Sequence, residues 1–386
     1  DHPAAVPQRN PALRTHYAHR HRCSRLRQAP RHALSRSGHP YRYDQRGADG
    51  IHHPAAAVCR QKVFGQERHR QTSCTKVNVM RRAGHFAYMT NKMYLCGIIG
   101  YINRAMKTGL VLEGGGMRGI YTCGVLDVMM DKGFEPDVLC GTSAGALFGV
   151  NLPSKQRGRA FDYNYRYCDN PNYVSIRSLI RTGNMVNVDF SYRRIPYELA
   201  PFDEEAYEAS KTTVFATVTN VRTGKAEYKR INNCLKQMDW LRASGTLPFI
   251  SRPVRIDGNE YLDGGLVDNI PLDKAFEEGC DKVVVVLTRP IEFRLNEHMY
   301  WLSKIFYPRD KNLQQALRVR SSNYNKRMQQ VRRLKEEGKI FVFSPETLLP
   351  VRRLERNPLH LKQVYHLGLR DATREWGQLE AYLQGK

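Results

Sequence analysis

From residue 106 to about residue 290, hydrophobic positions alternate between short continuous runs and stretches of helical spacing, which predicts an α/β layered fold. Thr108-Gly109-Leu110-Val111-Leu112-Glu113 is a short buried strand by this reading. Residues 119–132 place apolar side chains at Ile120, Val125, Leu126, Val128 and Met129 ahead of Gly133, a helix and its stop. Val138-Leu139-Cys140 is a second strand. Residues 144–199 are mainly helical with Asn and Pro breaks, and suit a cap or one side of a cleft. The β-branched run 212–219 turns at Arg222-Thr223-Gly224-Lys225 into a partner at Ala226-Glu227-Tyr228. Val254-Arg255-Ile256 and Glu260-Tyr261-Leu262 flank Asp257-Gly258-Asn259 as a small hairpin. Lys282-Val283-Val284-Val285-Val286-Leu287 has the continuous apolar character of a central parallel strand. Beyond Pro290 the chain turns basic and helical, with one further strand at Ile340-Phe341-Val342-Phe343.

The first 105 residues have neither period, and their charge differs from the rest. They hold 19 Lys and Arg against 4 Asp and Glu, whereas residues 106–386 hold 42 against 33, within a total net charge of +24. Ten of the 13 histidines also fall in this segment. Arginine outnumbers lysine there by 16 to 3, unlike the mixed composition of most nucleic-acid or membrane-binding arms. We therefore expect 1–105 to be a disordered or non-native extension, 106–290 one α/β domain and 291–386 a mainly helical C-terminal region. A basic membrane- or nucleic-acid-binding protein without catalysis is the alternative that the charge suggests. The nine cysteines form no C-x-x-C pair, and their number is odd, so the expectation is reduced, buried thiols in a cytoplasmic protein. No apolar run approaches the ~20 residues of a membrane span, so any membrane contact is expected to be peripheral.

Three glycine-rich stretches carry the candidate chemistry. Gly141-Thr142-Ser143-Ala144-Gly145 follows the second strand and precedes a helix, the setting of a nucleophile elbow, in which flanking side chains would collide. Gly114-Gly115-Gly116-Met117-Arg118-Gly119 follows the first strand, and its N–H groups can converge on one point as an oxyanion stabiliser. Gly114, Gly116 and Gly119 also fit a dinucleotide fingerprint. That reading expects an acidic residue ending the second strand, where Gly141-Thr142-Ser143 stands instead. Only His298, His360 and His366 lie beyond residue 105, all after the last central strand, so a Ser-His-Asp triad is poorly served. Asp263-Gly264-Gly265 offers either a carboxylate base or an ordinary Asp-Gly turn.

Taken in order, Glu113-Gly114-Gly115-Gly116-Met117-Arg118-Gly119, Gly141-Thr142-Ser143-Ala144-Gly145 and Asp263-Gly264-Gly265 resemble the three motifs of the patatin-like phospholipases. Ala243-Ser244 with Pro248-Phe249 resembles a fourth block of that family, and the segment after Pro290 resembles the additional C-terminal region of its bacterial members. The resemblance implies a three-layer α/β sandwich around a mainly parallel sheet, with a helical C-terminal extension. It implies lipid acyl-ester hydrolysis by a Ser-Asp dyad, with Ser143 as nucleophile and Asp263 as general base. Gly114, Gly115, Gly116, Met117, Arg118 and Gly119 would form the oxyanion hole, and Gly141 and Gly145 would frame the elbow. Asp268 is expected to be structural. No metal or cofactor is called for, the partner is a lipid or acyl-ester substrate, and no nucleic acid is expected. Arg318, Arg320, Lys326, Arg327, Arg332 and Arg333 fall in one predicted helix, which suits either an anionic membrane surface or a solvated face.

Overall fold

The computed structural model describes residues 106–297 and 300–385. The expectations for residues 1–105, and His298, lie outside the described residues. The chain runs β1 (Thr108–Leu112), a short 3-10 turn (Gly116–Gly119), α1 (Ile120–Asp131), β2 (Val138–Thr142), α2 (Ala144–Gly149), α3 (Arg159–Tyr167) and α4 (Ile176–Thr182). A π-helical segment (Phe190–Leu199) and α5 (Glu204–Ala209) lead to β3 (Thr213–Asn220) and β4 (Ala226–Ile231). Next come α6 (Met238–Ser244), the hairpin β5 (Val254–Ile256) and β6 (Asn259–Asp263), α7 (Leu272–Glu277) and β7 (Lys282–Val286). The chain closes with α8 (Tyr300–Phe306), α9 (Lys311–Glu336), β8 (Ile340–Phe343) and α10 (Pro358–Gln384). Asn357 caps α10, its Oδ1 accepting from Leu359 N at 3.0 Å, and Pro358 opens the helix where a missing N–H does no harm.

The strands form one eight-stranded sheet in the order β5-β6-β3-β2-β1-β7-β8, with β4 also paired to β3. The pairs β3–β2, β2–β1, β1–β7 and β7–β8 are parallel. Side chains alternate between its faces, as the two-residue period of a strand requires. Leu110 and Leu112 of β1 pack with Val284, Val286 and Phe343 in one core, together with α1 and α10. Val111, Val283, Val285 and Val342 point the other way, into a second core with α7 and α9. Helices therefore cover both faces of a mainly parallel sheet, the layered α/β architecture expected from the sequence. The C-terminal region supplies the edge strand β8 and a helix on each face. Tyr121 and Tyr365 hydrogen-bond Asp371 and Asp127 between α1 and α10, at 3.1 and 2.5 Å.

Register places the site. β2 runs two residues further than its apolar run, because Leu112 and Thr217 pair with Gly141 and Thr142 on either side. β3 pairs with β2 as far as Thr217 and with β6 from Val218, opposite Asp263. Since β4 runs along β3 from Val214 to Thr219, β2 and β6 share its opposite edge. The ends of those two strands consequently meet, with Ser143 and Asp263 side by side. No helix among the described residues is long and apolar enough to cross a membrane.

Candidate active site

Ser143 occupies the turn between β2 and α2 with φ 54° and ψ −123°, a conformation few non-glycine residues adopt. The flanking glycines make room for it. A Cβ on Gly141 would lie 2.6 Å from Ala146 N, and one on Gly145 would strike the Leu112 carbonyl. The Ser143 N–H donates to Ser244 Oγ at 2.9 Å, and that hydroxyl donates in turn to Thr217 O at 2.7 Å. Ser244, at the end of α6, thus ties the elbow to β3. Ser143 is buried except for a small window onto the cavities described below.

The Ser143 hydroxyl donates to Asp263 Oδ2 at 2.7 Å. The other carboxylate oxygen, Oδ1, accepts from Gly265 N at 2.7 Å, so both oxygens are oriented. Asp263 is buried, and burial raises its pKa above the usual carboxylate range. The bonds from Ser143 and Gly265 and the charges of Arg353 and Arg320 pull it back only partly. The result is a carboxylate with raised proton affinity, held against a serine hydroxyl. His360 and His366 lie on α10, and neither lines the cavities around Ser143.

The glycine loop stands on a buried carboxylate. Glu113 is fully buried and accepts from Asn269 Nδ2, Thr288 N, Thr288 Oγ1 and Tyr324 OH at 3.0, 2.6, 3.1 and 2.8 Å. Asn269 Nδ2 also reaches Gly114 O at 3.0 Å. Within the loop, Gly114 N donates to Asn269 O and Met117 N to Arg353 O, at 3.1 and 3.0 Å. Those two N–H groups are therefore engaged elsewhere, and Met117 cannot donate to an oxyanion in this arrangement. Gly115 and Gly116 line the cavity in front of Ser143. The side chain of Arg118 enters the same cavity, whereas Gly119 lies behind it, against Ala144 and Phe148.

Two cavities open at Ser143. One, of about 1000 Å³, is mostly apolar and runs among α2, α3, the π-helical segment and α6, past Leu147, Phe148, Tyr192, Ile195 and Leu241. The other, of about 800 Å³, is lined by Arg118, Arg289, Arg320 and Arg353 beside the glycine loop. Sequence reasoning singled out Arg118 but not the other three arginines as site residues, nor Glu113 and Asn269 as supports. Arg289 stands just past the C-terminal end of β7, where a parallel sheet gathers its site residues, so it was open to inference. Asp268 is structural in its contacts: its Oδ2 accepts from Tyr228 OH at 2.7 Å and its carbonyl from Thr142 Oγ1 at 3.0 Å. Among the described residues no three His, Cys, Asp or Glu side chains cluster as metal ligands would.

The family model described as patatin-like phospholipase matches residues 110–276, and a domain of unknown function, DUF6363, matches residues 310–384. The uncharacterized protein YjjU of Escherichia coli K12 is 28% identical over 274 residues, covering 68% of this chain and 75% of that protein. The lysophospholipase nte1 of Aspergillus niger is 28% identical over 191 residues, 47% of this chain. A Yarrowia lipolytica lysophospholipase, NTE1, is 28% identical over 193 residues, 46% of this chain. The match spans only 12% of each fungal protein's length. Among solved structures, VipD from Legionella pneumophila superposes with a TM-score of 0.35 at 14% identity, covering 70% of this chain and 66% of that one. The match to the patatin-like phospholipase family model thus takes in the elbow, the glycine loop and the Asp-Gly-Gly turn.

Proposed function

We propose that this protein hydrolyses fatty-acyl esters of lipids, with Ser143 as nucleophile, Asp263 as general base and the Gly115 and Gly116 amides as oxyanion donors. The observation that carries the reading is the 2.7 Å hydrogen bond from Ser143 to Asp263 at the junction of an apolar and a cationic cavity. The acyl chain lies in the apolar cavity and the alcohol portion in the other. Ser143 Oγ attacks the ester carbonyl while its proton passes to Asp263, whose raised proton affinity suits that transfer. The tetrahedral oxyanion faces the glycine amides. Collapse breaks the bond to the alcohol oxygen, which takes the proton from Asp263 and leaves. Water then attacks the acyl-serine, gives a proton to Asp263 and releases the fatty acid, and that proton returns to Ser143 Oγ. The two fungal relatives are named as lysophospholipases, which agrees with this reading.

The test is hydrolysis of p-nitrophenyl butyrate and octanoate by purified protein. Ser143→Ala is expected to reduce the rate to background, and Asp263→Asn to lower kcat by a factor of roughly 10²–10⁴, the range for loss of a general base. Wild-type rates in either variant would overturn the assignment.

A further inference from the structure

The cationic cavity is built from four separate parts of the chain. Arg118 comes from the turn after β1, Arg289 from the loop after β7, Arg320 from the middle of α9 and Arg353 from the loop before α10. Arg320 donates from Nε to Gly265 O at 2.9 Å and pairs with Glu297, and Arg353 reaches the same carboxylate at 3.3 Å. Among the described residues, neither Arg118 nor Arg289 has a carboxylate within ion-pair distance. The Arg289 guanidinium lies over the rings of Phe293 and Tyr324, at 4.2 and 5.4 Å. Arg118 Nε is buried and, among the described residues, without a hydrogen-bond partner. The buried Glu113 beneath it already accepts from Asn269, Thr288 and Tyr324. Burial, followed by the charges of Arg289 and Arg353, pushes the Arg118 pKa down to about 10. Among the described residues, four guanidinium groups line the chamber against the carboxylates of Glu297 and Asp263, which leaves it net positive beside the proposed nucleophile.

A planar guanidinium fork matches the oxygens of a phosphate, and a charge-assisted bond in a sheltered site is stronger than a neutral one. Guanidinium groups also repel the quaternary ammonium of a choline head. We propose that this chamber binds the phosphate of the ester's leaving alcohol, so that the preferred substrate is an acyl glycerophosphate with an anionic head. The proposal rests on the reading of Ser143 as nucleophile. Because Arg320 and Arg353 lie within residues 310–384, it gives the domain of unknown function a role: completing the half of the site that selects the substrate.

The experiment compares kcat/KM of the wild-type chain on lysophosphatidic acid, lysophosphatidylcholine and monoacylglycerol of one chain length, with p-nitrophenyl butyrate as an uncharged reference. The expected order is lysophosphatidic acid first, by about tenfold or more over monoacylglycerol, the scale of one or two charge-assisted hydrogen bonds. Glycerol 3-phosphate should inhibit p-nitrophenyl butyrate hydrolysis competitively, and more strongly than inorganic phosphate. In Arg289→Gln and Arg353→Gln the ratio of lysophosphatidic acid to monoacylglycerol turnover should fall about tenfold or more, with KM carrying most of the change. Equal turnover of lysophosphatidic acid and monoacylglycerol, or inhibition by inorganic phosphate equal to that by glycerol 3-phosphate, would overturn the proposal and leave the dyad standing. Absence of hydrolysis on every ester would instead remove the Ser143–Asp263 reading on which it rests.

Discussion

The two chambers that meet at Ser143 differ in how they are made. Most of the wall of the apolar one comes from the single helical segment between β2 and β3, with α6 added from beyond β4. The cationic one draws a single arginine from each of four distant segments, two of them beyond residue 310. Burying methylene groups needs only a continuous apolar wall, whereas binding a charged group needs charges fixed from several directions. Gly116, Ser143, Leu247 and Arg353 line both chambers and form the boundary between them.

That contrast can be broken one side at a time. The largest effect is expected from Leu147→Trp, which fills the apolar chamber. Turnover of a long-chain p-nitrophenyl ester should fall relative to the acetate by a factor on the order of 100, as for other hydrophobic pockets altered in size. A matched loss on both esters would mean that the acyl chain lies elsewhere. A smaller effect concerns acidity. Burial raises the Asp263 pKa, and the protonated acid cannot take a proton from Ser143. Activity on a neutral ester should therefore rise with pH by about tenfold per unit, along a limb above the usual carboxylate range. Since Arg353 lowers this pKa, Arg353→Gln should move the limb to higher pH. A pH–rate profile of kcat/KM for both proteins checks the position and the direction. The smallest effect is from salt. Raising ionic strength from 0.05 to 0.5 M should lower kcat/KM severalfold for lysophosphatidic acid and little for monoacylglycerol, because only the former is drawn in by charge.

Much of the framework was legible in the chain because its signals are local. The continuous Val283-Val284-Val285-Val286 run announces a strand buried on both faces, and both cores receive it. The elbow and the Asp-Gly-Gly turn are short motifs whose own glycines set their shape. Contacts made between distant segments were not legible. Met117 stands in a glycine loop, yet its N–H is taken by the Arg353 carbonyl from the far end of the chain. The basic stretch of α9 also divides in a way that composition does not show. Leu313, Tyr324, Met328, Val331 and Leu334 face the protein, and arginines flanking that stripe bend back to partners. Arg320 turns to Gly265 O and Glu297, Arg327 to Asp273 and Arg332 to Ile291 O, while Arg318, Lys326 and Arg333 remain exposed. A charge count treats all six alike.

The position of β1 bears on how the protein is made. This first strand becomes an interior one, between β2 and β7, and β7 in turn is flanked by β8. During synthesis the β7 edge of β1 stays unpaired until residues 282–286 have left the ribosome, a delay of about ten seconds or longer at ordinary elongation rates. Pairings between such distant segments fold slowly, and an open apolar strand edge invites association with other chains. The molecule most exposed to misassembly is thus the nascent one, with the elbow already synthesised and its sheet still open on one side.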